Sequence, residues 1–382
     1  MNEPNSEERT ALSLAVVGVG AMGSVHAKNL AEGKVSGARL SAVCDIDPKA
    51  LERFEGVERF ITLDGLLEAE IADALVVATP HYDHPNSAVR GLESGLSVLV
   101  EKPLAVHKAD AERMLQAYER RPKRSQIFAE MFNQRTDPRY VTLKSLIDGG
   151  KLGELRRVNW IITNWFRTEA YYRSGGWRAT WAGEGGGVLL NQSPHQIDLW
   201  QWLFGMPARV RAFCGFGRFH DIEVEDQVTA YFEYESGATG VFVTTTGESP
   251  GTNRLEVAGD LGKVVVEDGG LRFYRNEESA AAFGRSTSEF YAGPKVEEQA
   301  FAFDDSGPQH VGILQNFVDA LRADSTLIAP AVEGIRSVEL ANAMLFSSLE
   351  ARTVELPLDA RAYEEKLREL ISKSKKGRGP NP

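Results

Sequence analysis

VVGVGAMG, at residues 16–23, is the stretch that decides the fold of the first half of this chain. Its three glycines form a GxGxxG pattern directly after an apolar run, which is typical of the first turn of a dinucleotide-binding unit. Gly18 allows a tight turn, Gly20 lets the backbone approach a pyrophosphate, and Gly23 lets a helix pack closely on a strand. The pattern therefore predicts a strand, a glycine turn and a helix whose N-terminus binds phosphate.

An acidic residue follows where a dinucleotide-binding unit requires one. A second apolar run, residues 40–44, ends at Asp45, 27 residues after the first glycine of the pattern. A carboxylate there can accept hydrogen bonds from both ribose hydroxyls and repels a 2′-phosphate, so we expect NAD in preference to NADP. Ile46 and the first residues of the helix, Ala21 and Met22, complete the cofactor contacts predicted around the glycine turn.

Short apolar runs alternate with amphipathic stretches from residue 13 to about residue 131. Unbroken apolar runs of this length suit strands that are buried on both faces, as in a parallel sheet covered by helices. Right-handed crossover connections then predict a doubly wound, Rossmann-type α/β domain over residues 1–131. Its expected strands are residues 14–17, 40–44, 59–61, 74–78, 98–100 and 127–129.

The second half of the chain has a different periodicity. In residues 227–235 apolar and polar side chains alternate, which is typical of a strand with one buried face. Further strands, separated by glycine-containing turns, are expected at residues 156–165, 209–217 and 239–246. Helical patterns occupy residues 138–148, 193–204, 309–322 and 333–352. Residues 132–382 are therefore predicted to form an α+β domain with an open, largely antiparallel sheet.

Polar residues follow the fourth and fifth strands of the predicted parallel sheet. Thr79-Pro80 comes after the fourth strand, and Glu101-Lys102-Pro103 comes after the fifth. Ligands of such sheets bind outside the carboxyl ends of the strands, so these residues are predicted to border the cofactor. His81 and His84 have HxxH spacing without an accompanying carboxylate or cysteine cluster. We expect His84 to line the cofactor cleft and predict no metal site.

A glycine-rich segment leads into a helix that carries a histidine. GEGGGVLLNQSPHQIDLW, residues 183–200, includes Asn191, His195 and Asp198. Asn191 and His195 are four residues apart and share one helical face if the helix already includes Asn191. A histidine, with an unperturbed pKa of about 6.5, is suited to accept the proton of an alcohol that gives up hydride. A lysine ammonium beside the same oxygen would stabilise the developing alkoxide.

With these motifs the sequence resembles the glucose–fructose oxidoreductase/inositol dehydrogenase family (Gfo/Idh/MocA) over most of its length. The resemblance rests on the GVGAMG turn, on EKP after the fifth strand, and on the helix with His195. It implies that Lys102 is the catalytic lysine beside the nicotinamide and that His195 is the histidine of the family's D-x-x-x-H pair. It also implies a two-domain fold with the site between the domains, and dimers or tetramers built on the open sheet.

The sequence departs from the family pattern at Asn191, where the family has an aspartate. An amide can orient a hydroxyl or an imidazole but cannot take a proton, so a proton relay through this position is in question. We assign His195 the role of base, Lys102 that of electrostatic partner and Asn191 that of orienting residue. Part of the orienting role is assigned to Asp198.

Further candidates for substrate binding lie in the second half of the chain. Asn133 and Arg135 follow the sixth strand, where the resemblance implies a contact with nicotinamide or substrate. An aromatic and basic cluster precedes the helix with His195 and comprises Trp165, Tyr172, Trp177 and Arg178. Aromatic faces flank sugar rings and guanidinium groups bind hydroxyls and carboxylates, although such a cluster is equally suited to closing an interface between domains.

Composition excludes several classes of function. A net charge of -11 over 382 residues argues against nucleic acid, because phosphate binding depends on clustered Lys and Arg. No apolar run approaches the ~18 residues of a membrane span, and the polar N-terminus is not an export signal, so a cytoplasmic location is expected. The basic C-terminus, residues 373–382, is expected to be a flexible tail, and residues 279–298 show no pattern that predicts an element.

These observations predict an NAD(P)-dependent dehydrogenase that oxidises a secondary ring hydroxyl of a sugar, cyclitol or sugar derivative and forms a homodimer or homotetramer through its open sheet. One alternative is an enzyme that binds NAD tightly and uses it transiently, as in glycoside hydrolysis through a keto intermediate. Another is a non-catalytic ligand sensor with a dinucleotide fold. Net turnover of free NAD separates the first two, and the presence of both Lys102 and His195 counts against the third.

Overall fold

The structure, a computed structural model, describes residues 11–322 and 325–374 and divides into two compact units. The first unit contains the chain up to residue 136 together with residues 308–338, and the second contains residues 137–307 and the chain from residue 339 onward. Two predictions concern residues outside this description: the N-terminal segment, residues 1–10, and the tail of residues 373–382 from position 375 onward.

The first unit contains a parallel sheet of six strands. The strands are β1 (Leu12–Val17), β2 (Ala38–Cys44), β3 (Glu58–Phe60), β4 (Ala74–Val77), β5 (Ser97–Val100) and β6 (Phe128–Glu130). They lie in the order β3-β2-β1-β4-β5-β6 and pair in parallel throughout. The predicted Rossmann-type sheet is confirmed, including its short third strand. The strand order reverses between β1 and β4, which is where doubly wound sheets bind their ligands.

Alternate residues of these strands enter two apolar clusters, one on each face of the sheet. Val16 and Val76 belong to the first cluster, whereas Val17 and Val77 belong to the second, and all four side chains are buried. Successive side chains of a strand point to opposite faces. An unbroken apolar run is therefore what a strand covered by helices on both faces requires.

Helices alternate with the strands along the chain. They are α1 (Ala21–Ala31), α2 (Pro48–Leu51), α3 (Leu63–Glu68), α4 (His84–Glu93), α5 (Lys108–Glu119), α6 (Pro138–Asp148), α7 (Glu169–Arg173), α8 (Pro194–Phe204), α9 (Ala280–Ser286), α10 (Gln309–Leu321), α11 (Ala331–Leu349) and α12 (Ala360–Lys373). The four helices that the sequence predicts in the second half correspond to α6, α8, α10 and α11, with ends that differ by at most a few residues.

The boundary between the units differs from the predicted division at residue 131. Helix α10 packs in the first unit, because Ile313, Leu314, Phe317 and Val318 join the apolar cluster that contains Val16. The start of α11 does the same through Ala331 and Val338, which belong to the opposite cluster. Residues 308–338 were expected in the second domain, but their apolar stripe completes the core of the parallel sheet.

The second unit contains a sheet of nine strands. They are β7 (Leu155–Ile162), β8 (Arg209–Phe216), β9 (Glu225–Glu233), β10 (Thr239–Thr245), β11 (Asn253–Gly259), β12 (Gly262–Glu267), β13 (Gly270–Asn276), β14 (Val296–Phe301) and β15 (Val354–Glu355). Their order is β14-β13-β12-β11-β7-β10-β9-β8-β15, and among the described strands of this sheet only β7 and β10 pair in parallel. The prediction of an open, largely antiparallel sheet is confirmed.

The predicted turns join these strands. Gly237, with φ +87°, links β9 to β10, and Asp268 and Gly269, with φ +51° and +77°, link β12 to β13. Two consecutive residues with positive φ match the twist of a tight antiparallel hairpin, which explains the Asp-Gly pair. The segment 279–298, which carried no prediction, contains α9 and leads into the edge strand β14.

Within residues 11–322 and 325–374, no helix combines the length and apolar character that crossing a bilayer requires. Over the same residues, no group of three or more His, Cys, Asp or Glu side chains is placed to hold a metal ion.

Candidate active site

The glycine turn between β1 and α1 has a separate reason for each glycine. Gly18 has φ +82°, and a Cβ there would lie 2.7 Å from the carbonyl oxygen of Ala78. A Cβ on Gly23 would overlap the carbonyl oxygen of Gly18. Gly20, in contrast, faces open space, with nothing within 4 Å of its added Cβ. Two glycines are thus needed for packing, and the third leaves room for a ligand at the start of an eleven-residue helix.

Asp45 lies beside this turn, at the end of β2. Its Oδ2 accepts a hydrogen bond from the backbone N–H of Val19 at 2.8 Å, and its Oδ1 accepts one from Asp47 at 2.9 Å. The side chain of Ile46 is 91% exposed. Arg53 donates to the carbonyl oxygen of Val19, which places a guanidinium beside the same turn. The sequence analysis did not identify Arg53, because it lies eight residues after Asp45 in a stretch without a motif.

His84, the first residue of α4, connects the segments that follow β4 and β5. Its ring is buried, with Nδ1 2.8 Å from the carbonyl oxygen of Pro103 and Nε2 2.8 Å from that of Thr79. Burial lowers the pKa of His84, so the neutral ring donates to one of the two carbonyls at a time. Both ring nitrogens therefore meet protein atoms, and the predicted contact of His84 with the cofactor stays a prediction.

Glu101 and Lys102 follow β5 at the carboxyl edge of the parallel sheet. The Glu101 carboxylate is 6% exposed, with Oε1 2.7 Å from Nε2 of His26 on α1 and Oε2 accepting from the Lys102 N–H at 3.1 Å. Burial by itself raises the pKa of Glu101. The hydrogen bond from His26 and the charges of His26 and Lys102 outweigh burial and lower that pKa to about 2. Lys102 itself is half-buried.

A short turn after β6, residues 133–136, holds two of the predicted substrate residues. Asn133 donates to Oε1 of Gln309 at 2.6 Å. Arg135 is only 2% exposed, and its Nη1 donates to the Ile328 carbonyl at 3.0 Å and to Glu333 at 2.5 Å. These hydrogen bonds connect the turn to residues 308–338. They help to explain why residues 308–338 belong to the first unit. The predicted substrate contacts of both residues stay predictions.

In the second unit, Asn191 precedes the helix that carries His195. Helix α8 begins at Pro194 and does not include Asn191, so the condition for a shared helical face with His195 is not met. Asn191 lies instead in a turn, with its N–H donating to the carbonyl oxygen of Gly187 at 3.0 Å. His195 is half-buried in the first turn of α8. Proline at the first helical position explains the start of the helix, because its missing N–H needs no partner there.

A buried carboxylate contacts Asn191. The amide of Asn191 donates to Glu184, which is 2% exposed, accepts from the Ala179 N–H at 2.6 Å and lies 3.7 Å from Arg178. The sequence analysis missed Glu184, although it stands in the quoted glycine-rich segment. The carboxylate of Asp198 accepts a hydrogen bond from Gln201 at 2.9 Å, and its orienting role stays a prediction.

Glu225, on β9, forms a second buried carboxyl group near Glu184. Its Oε1 accepts from the N–H groups of Gly187 at 2.8 Å and Leu189 at 3.0 Å. Its Oε2 is buried without a hydrogen-bond partner among the described residues. Burial, reinforced by the negative charge of Glu184, raises the pKa of Glu225 to about 7.

The structure brings together members of the predicted aromatic and basic cluster. Arg178 stacks over Trp177, with its guanidinium 4.6 Å from the ring centroid, and over Tyr171 at 4.9 Å. Tyr172 and Arg178 line a cavity of about 430 Å³, and the hydroxyl of Tyr172 is 2.7 Å from that of Thr246. Trp165 is half-buried and stacks more loosely with its neighbour Arg167. The cluster therefore presents aromatic and cationic surface in the second unit.

Comparison with known proteins decides the family. A profile described as "Oxidoreductase family, NAD-binding Rossmann fold" matches residues 12–128, and one described as "GFO/IDH/MocA C-terminal domain" matches residues 140–265. The chain belongs to the Gfo/Idh/MocA family of oxidoreductases. The expected family, the NAD-binding Rossmann domain and the class of enzyme are thereby confirmed, and NAD is its cofactor.

Several relatives resemble this Gfo/Idh/MocA protein over nearly its whole length. The scyllo-inositol 2-dehydrogenase (NAD(+)) of Bacillus subtilis (strain 168) is 27% identical over 375 residues, which cover 91% of this chain and 97% of the relative. The WlbA dehydrogenase from Bordetella pertussis, solved in complex with NADH and UDP-GlcNAcA, is 27% identical with a TM-score of 0.76, over 91% of this chain and 100% of that one. A levoglucosan dehydrogenase solved with NADH and levoglucosan shares the fold, with a TM-score of 0.75 at 18% identity and the same coverage.

Proposed function

We propose that this Gfo/Idh/MocA oxidoreductase oxidises a secondary ring hydroxyl of a sugar, cyclitol or sugar derivative. The observation that carries the proposal is the position of Lys102, which follows β5 on the carboxyl edge of the sheet that also bears the glycine turn and Asp45. This edge is where doubly wound sheets hold the nicotinamide cofactor. Relatives named as inositol dehydrogenases, of matching length, support the substrate class.

The residues of the first unit fit NAD. Gly20 leaves open space at the start of α1, where free N–H groups can meet phosphate oxygens. The Asp45 carboxylate, already held by the N–H of Val19, has oxygen lone pairs suited to ribose hydroxyls. Bound NAD supplies the hydride acceptor, and the protein supplies binding, orientation and charge.

Lys102 and His195 are proposed to act on the proton of the substrate hydroxyl. His195 accepts that proton through its imidazole, which is half-buried in the first turn of α8. The ammonium of Lys102 stabilises the negative charge that develops on the same oxygen. Asn191 orients the reacting groups, and its amide is held in turn by the Glu184 carboxylate. The negative charge that is absent from position 191 is therefore supplied by Glu184, which contacts the Asn191 amide.

The aromatic and basic cluster is proposed to bind the rest of the substrate. Trp177 is 40% exposed, and its ring offers an apolar face of the kind that flanks sugar rings. Arg178 and Tyr172 line the neighbouring cavity of about 430 Å³ and offer donors for ring hydroxyls. Asn133 and Trp165 are proposed as further contacts.

A substrate screen tests the proposal. Inositols, free sugars, anhydrosugars and nucleotide sugars are each mixed with enzyme and NAD or NADP, and formation of reduced cofactor is followed by absorbance. We expect net reduction of NAD by at least one polyol class. Lys102→Ala should abolish turnover while NAD affinity, measured by fluorescence titration, changes little. Undiminished turnover in Lys102→Ala would refute the assigned mechanism.

Two outcomes of the same screen would favour the alternatives. Conversion of a glycoside without net reduction of added NAD would indicate a cofactor that is used transiently. Binding of a polyol without any conversion, unchanged by Lys102→Ala and His195→Ala, would indicate a sensor. A sensor is not expected, because the chain contains both Lys102 and His195.

Self-association through the nine-stranded sheet is also proposed. Cross-strand neighbours Phe213, Thr229, Val243 and Ile161 form a row across β8, β9, β10 and β7. Phe213 is 64% exposed and Ile161 is 40% exposed, although both are large apolar side chains. An exposed apolar sheet face of this kind suits burial against a second copy of the chain in a homodimer or homotetramer.

A further inference from the structure

Two buried side chains, Glu101 and His26, lie behind Lys102 in the first unit. We propose that His26 is a positioning residue for Lys102: through Glu101 it holds the Lys102 backbone and keeps a negative charge beside the ammonium. The inference rests on the proposed function, since it concerns the lysine that is assigned to the substrate hydroxyl. His26 carries no motif of its own, and the sequence analysis assigned it no role.

One carboxylate joins helix α1 to the segment after β5. The His26 ring on α1 is fully buried, and its Nε2 is 2.7 Å from Oε1 of Glu101. The other oxygen of Glu101 accepts the N–H of Lys102 at 3.1 Å. An ionised carboxylate only accepts hydrogen bonds, so the His26 nitrogen must be the donor. Helix α1 is thereby bonded, through Glu101, to the backbone of the proposed catalytic lysine.

The chain on the other side of Lys102 is also held by a histidine. The carbonyl oxygen of Pro103 lies 2.8 Å from Nδ1 of His84, which is itself 1% exposed. The residues before and after Lys102 are thus both bonded to buried imidazoles from two helices. Such bonding leaves the lysine backbone little freedom, as precise placement of a reacting group requires.

A purely structural role does not account for this arrangement. Burying a charged carboxylate costs several kcal/mol, roughly, and an apolar residue of similar volume would often serve packing as well. Four titratable groups face the Glu101 carboxylate: His26 from α1, Lys102 beside it in the chain, His84 from α4 and His310 from α10. The ring of His310 lies 5.8 Å from that of His26, centroid to centroid. The carboxylate is thereby kept ionised next to Lys102, where its charge favours the ammonium form.

Removing the His26 donor should therefore make Glu101 titrate in the working pH range. In His26→Leu the carboxylate loses its hydrogen bond and its burial is uncompensated, so its pKa should rise. His26→Gln keeps an N–H donor of similar reach and should restore the wild-type behaviour. His310→Leu is the matched control, because it removes a histidine of the same cluster that makes no hydrogen bond to Glu101 in the described structure.

The amide signal of Lys102 reports this ionisation directly, since that N–H donates to Glu101. Each variant is labelled with 15N-lysine, and the signal is assigned by its loss in Lys102→Arg. We expect a constant chemical shift from about pH 5 to 9 in wild type, His26→Gln and His310→Leu. In His26→Leu we expect a titration with its midpoint above about pH 5. If His26→Leu does not fold, His26→Asn, whose amide is too short to reach Glu101, replaces it.

The inference is overturned if the Lys102 amide shift in His26→Leu is independent of pH, or if His310→Leu titrates to the same extent. Kinetics then connect positioning to activity: kcat of His26→Leu should gain an acid limb with the same midpoint, while the dissociation constant of NAD changes less than about twofold. A general loss of stability would lower kcat without creating that limb. If no polyol substrate is found, the proposed function fails, whereas the amide titration still decides the role of His26.

Discussion

Two glycines of the phosphate turn should respond to alanine in opposite ways. Gly20→Ala adds a methyl group to open space, with no atom within 4 Å, so the fold should tolerate it. Gly23→Ala adds a methyl group that overlaps the backbone carbonyl of Gly18 and lies 3.3 Å from the Cβ of Ala78. Backbone atoms cannot rotate aside as the end of a side chain can, so α1 must shift from β1.

The expected magnitudes follow from these contacts. Overpacking against backbone costs about 1–3 kcal/mol or more, and the better helix propensity of alanine returns about 0.5–1 kcal/mol. Gly23→Ala should therefore lose about 1–2 kcal/mol, which lowers Tm by roughly 2–8 °C in a domain of this size. Gly20→Ala should keep Tm but lose one or more charge-assisted hydrogen bonds to phosphate, about 1.5–3 kcal/mol each, which weakens NAD binding at least about tenfold.

Calorimetry and fluorescence titration with NAD measure the two effects on the same samples. Gly284→Ala is the control, since Gly284 also has no atom within 4 Å of an added Cβ but lies in α9 of the second unit. Its Tm should stay level or rise slightly, with unchanged NAD affinity. The reasoning is refuted if Gly23→Ala is as stable as wild type, or if Gly20→Ala binds NAD with wild-type affinity.

Three further predictions concern other parts of the molecule. Asp45→Asn keeps an oxygen for the N–H of Val19 but removes the negative charge, so NAD should bind about tenfold more weakly and NADP should bind more tightly. Adding Arg53→Gln should reverse the gain in NADP affinity, because it removes the guanidinium beside the glycine turn. Equal losses of affinity for both cofactors would contradict this prediction. Glu225 has a pKa of about 7 in the folded protein against an ordinary value of 4.5, so the free energy of unfolding should fall as pH rises from about 4.5 to 7. Above that range the loss, about 3 kcal/mol, no longer changes with pH. The stability gained by Glu225→Gln should thus be larger at pH 8 than at pH 5 in urea unfolding, and a difference independent of pH would exclude this titration. Phe213→Glu should lower the sedimentation coefficient if the sheet face self-associates. Val141→Glu should not, because Val141 is an apolar residue that is 44% exposed on α6, outside the sheet.

Local patterns in the sequence were sufficient for most elements. The apolar runs that predict the parallel strands agree with β1 to β6 within about two residues, even for the three-residue β3. Helix α6 begins and ends where the sequence predicts, because Asp137 caps it through its carboxylate and proline occupies its first position. Alternating side chains in β9 and glycine turns at its end were equally informative. In each case the physical cause lies within a few residues of the element.

Local patterns did not place the ends of the units or the start of α8. Helix α10 has an apolar stripe that suits either unit, and only packing against Val16 and its neighbours assigns it to the first. Asn191 has the spacing of a helical partner for His195, yet its N–H bonds to Gly187 in a turn. Spacing alone cannot distinguish a turn at Asn191 from a helix that begins three residues before Pro194.

The sequence alone was enough to identify the dinucleotide fold and the cofactor, because both depend on residue types at short, regular spacing. The catalytic roles of Lys102 and His195 come from the resemblance to the family and stay predictions. Tertiary structure was needed to find the groups that surround them. His26 and Glu101 are 75 positions apart, and Arg135 and Glu333 are 198 apart. A buried charge is stable only beside a partner that folding brings to it, and no short-range pattern records which partner that is.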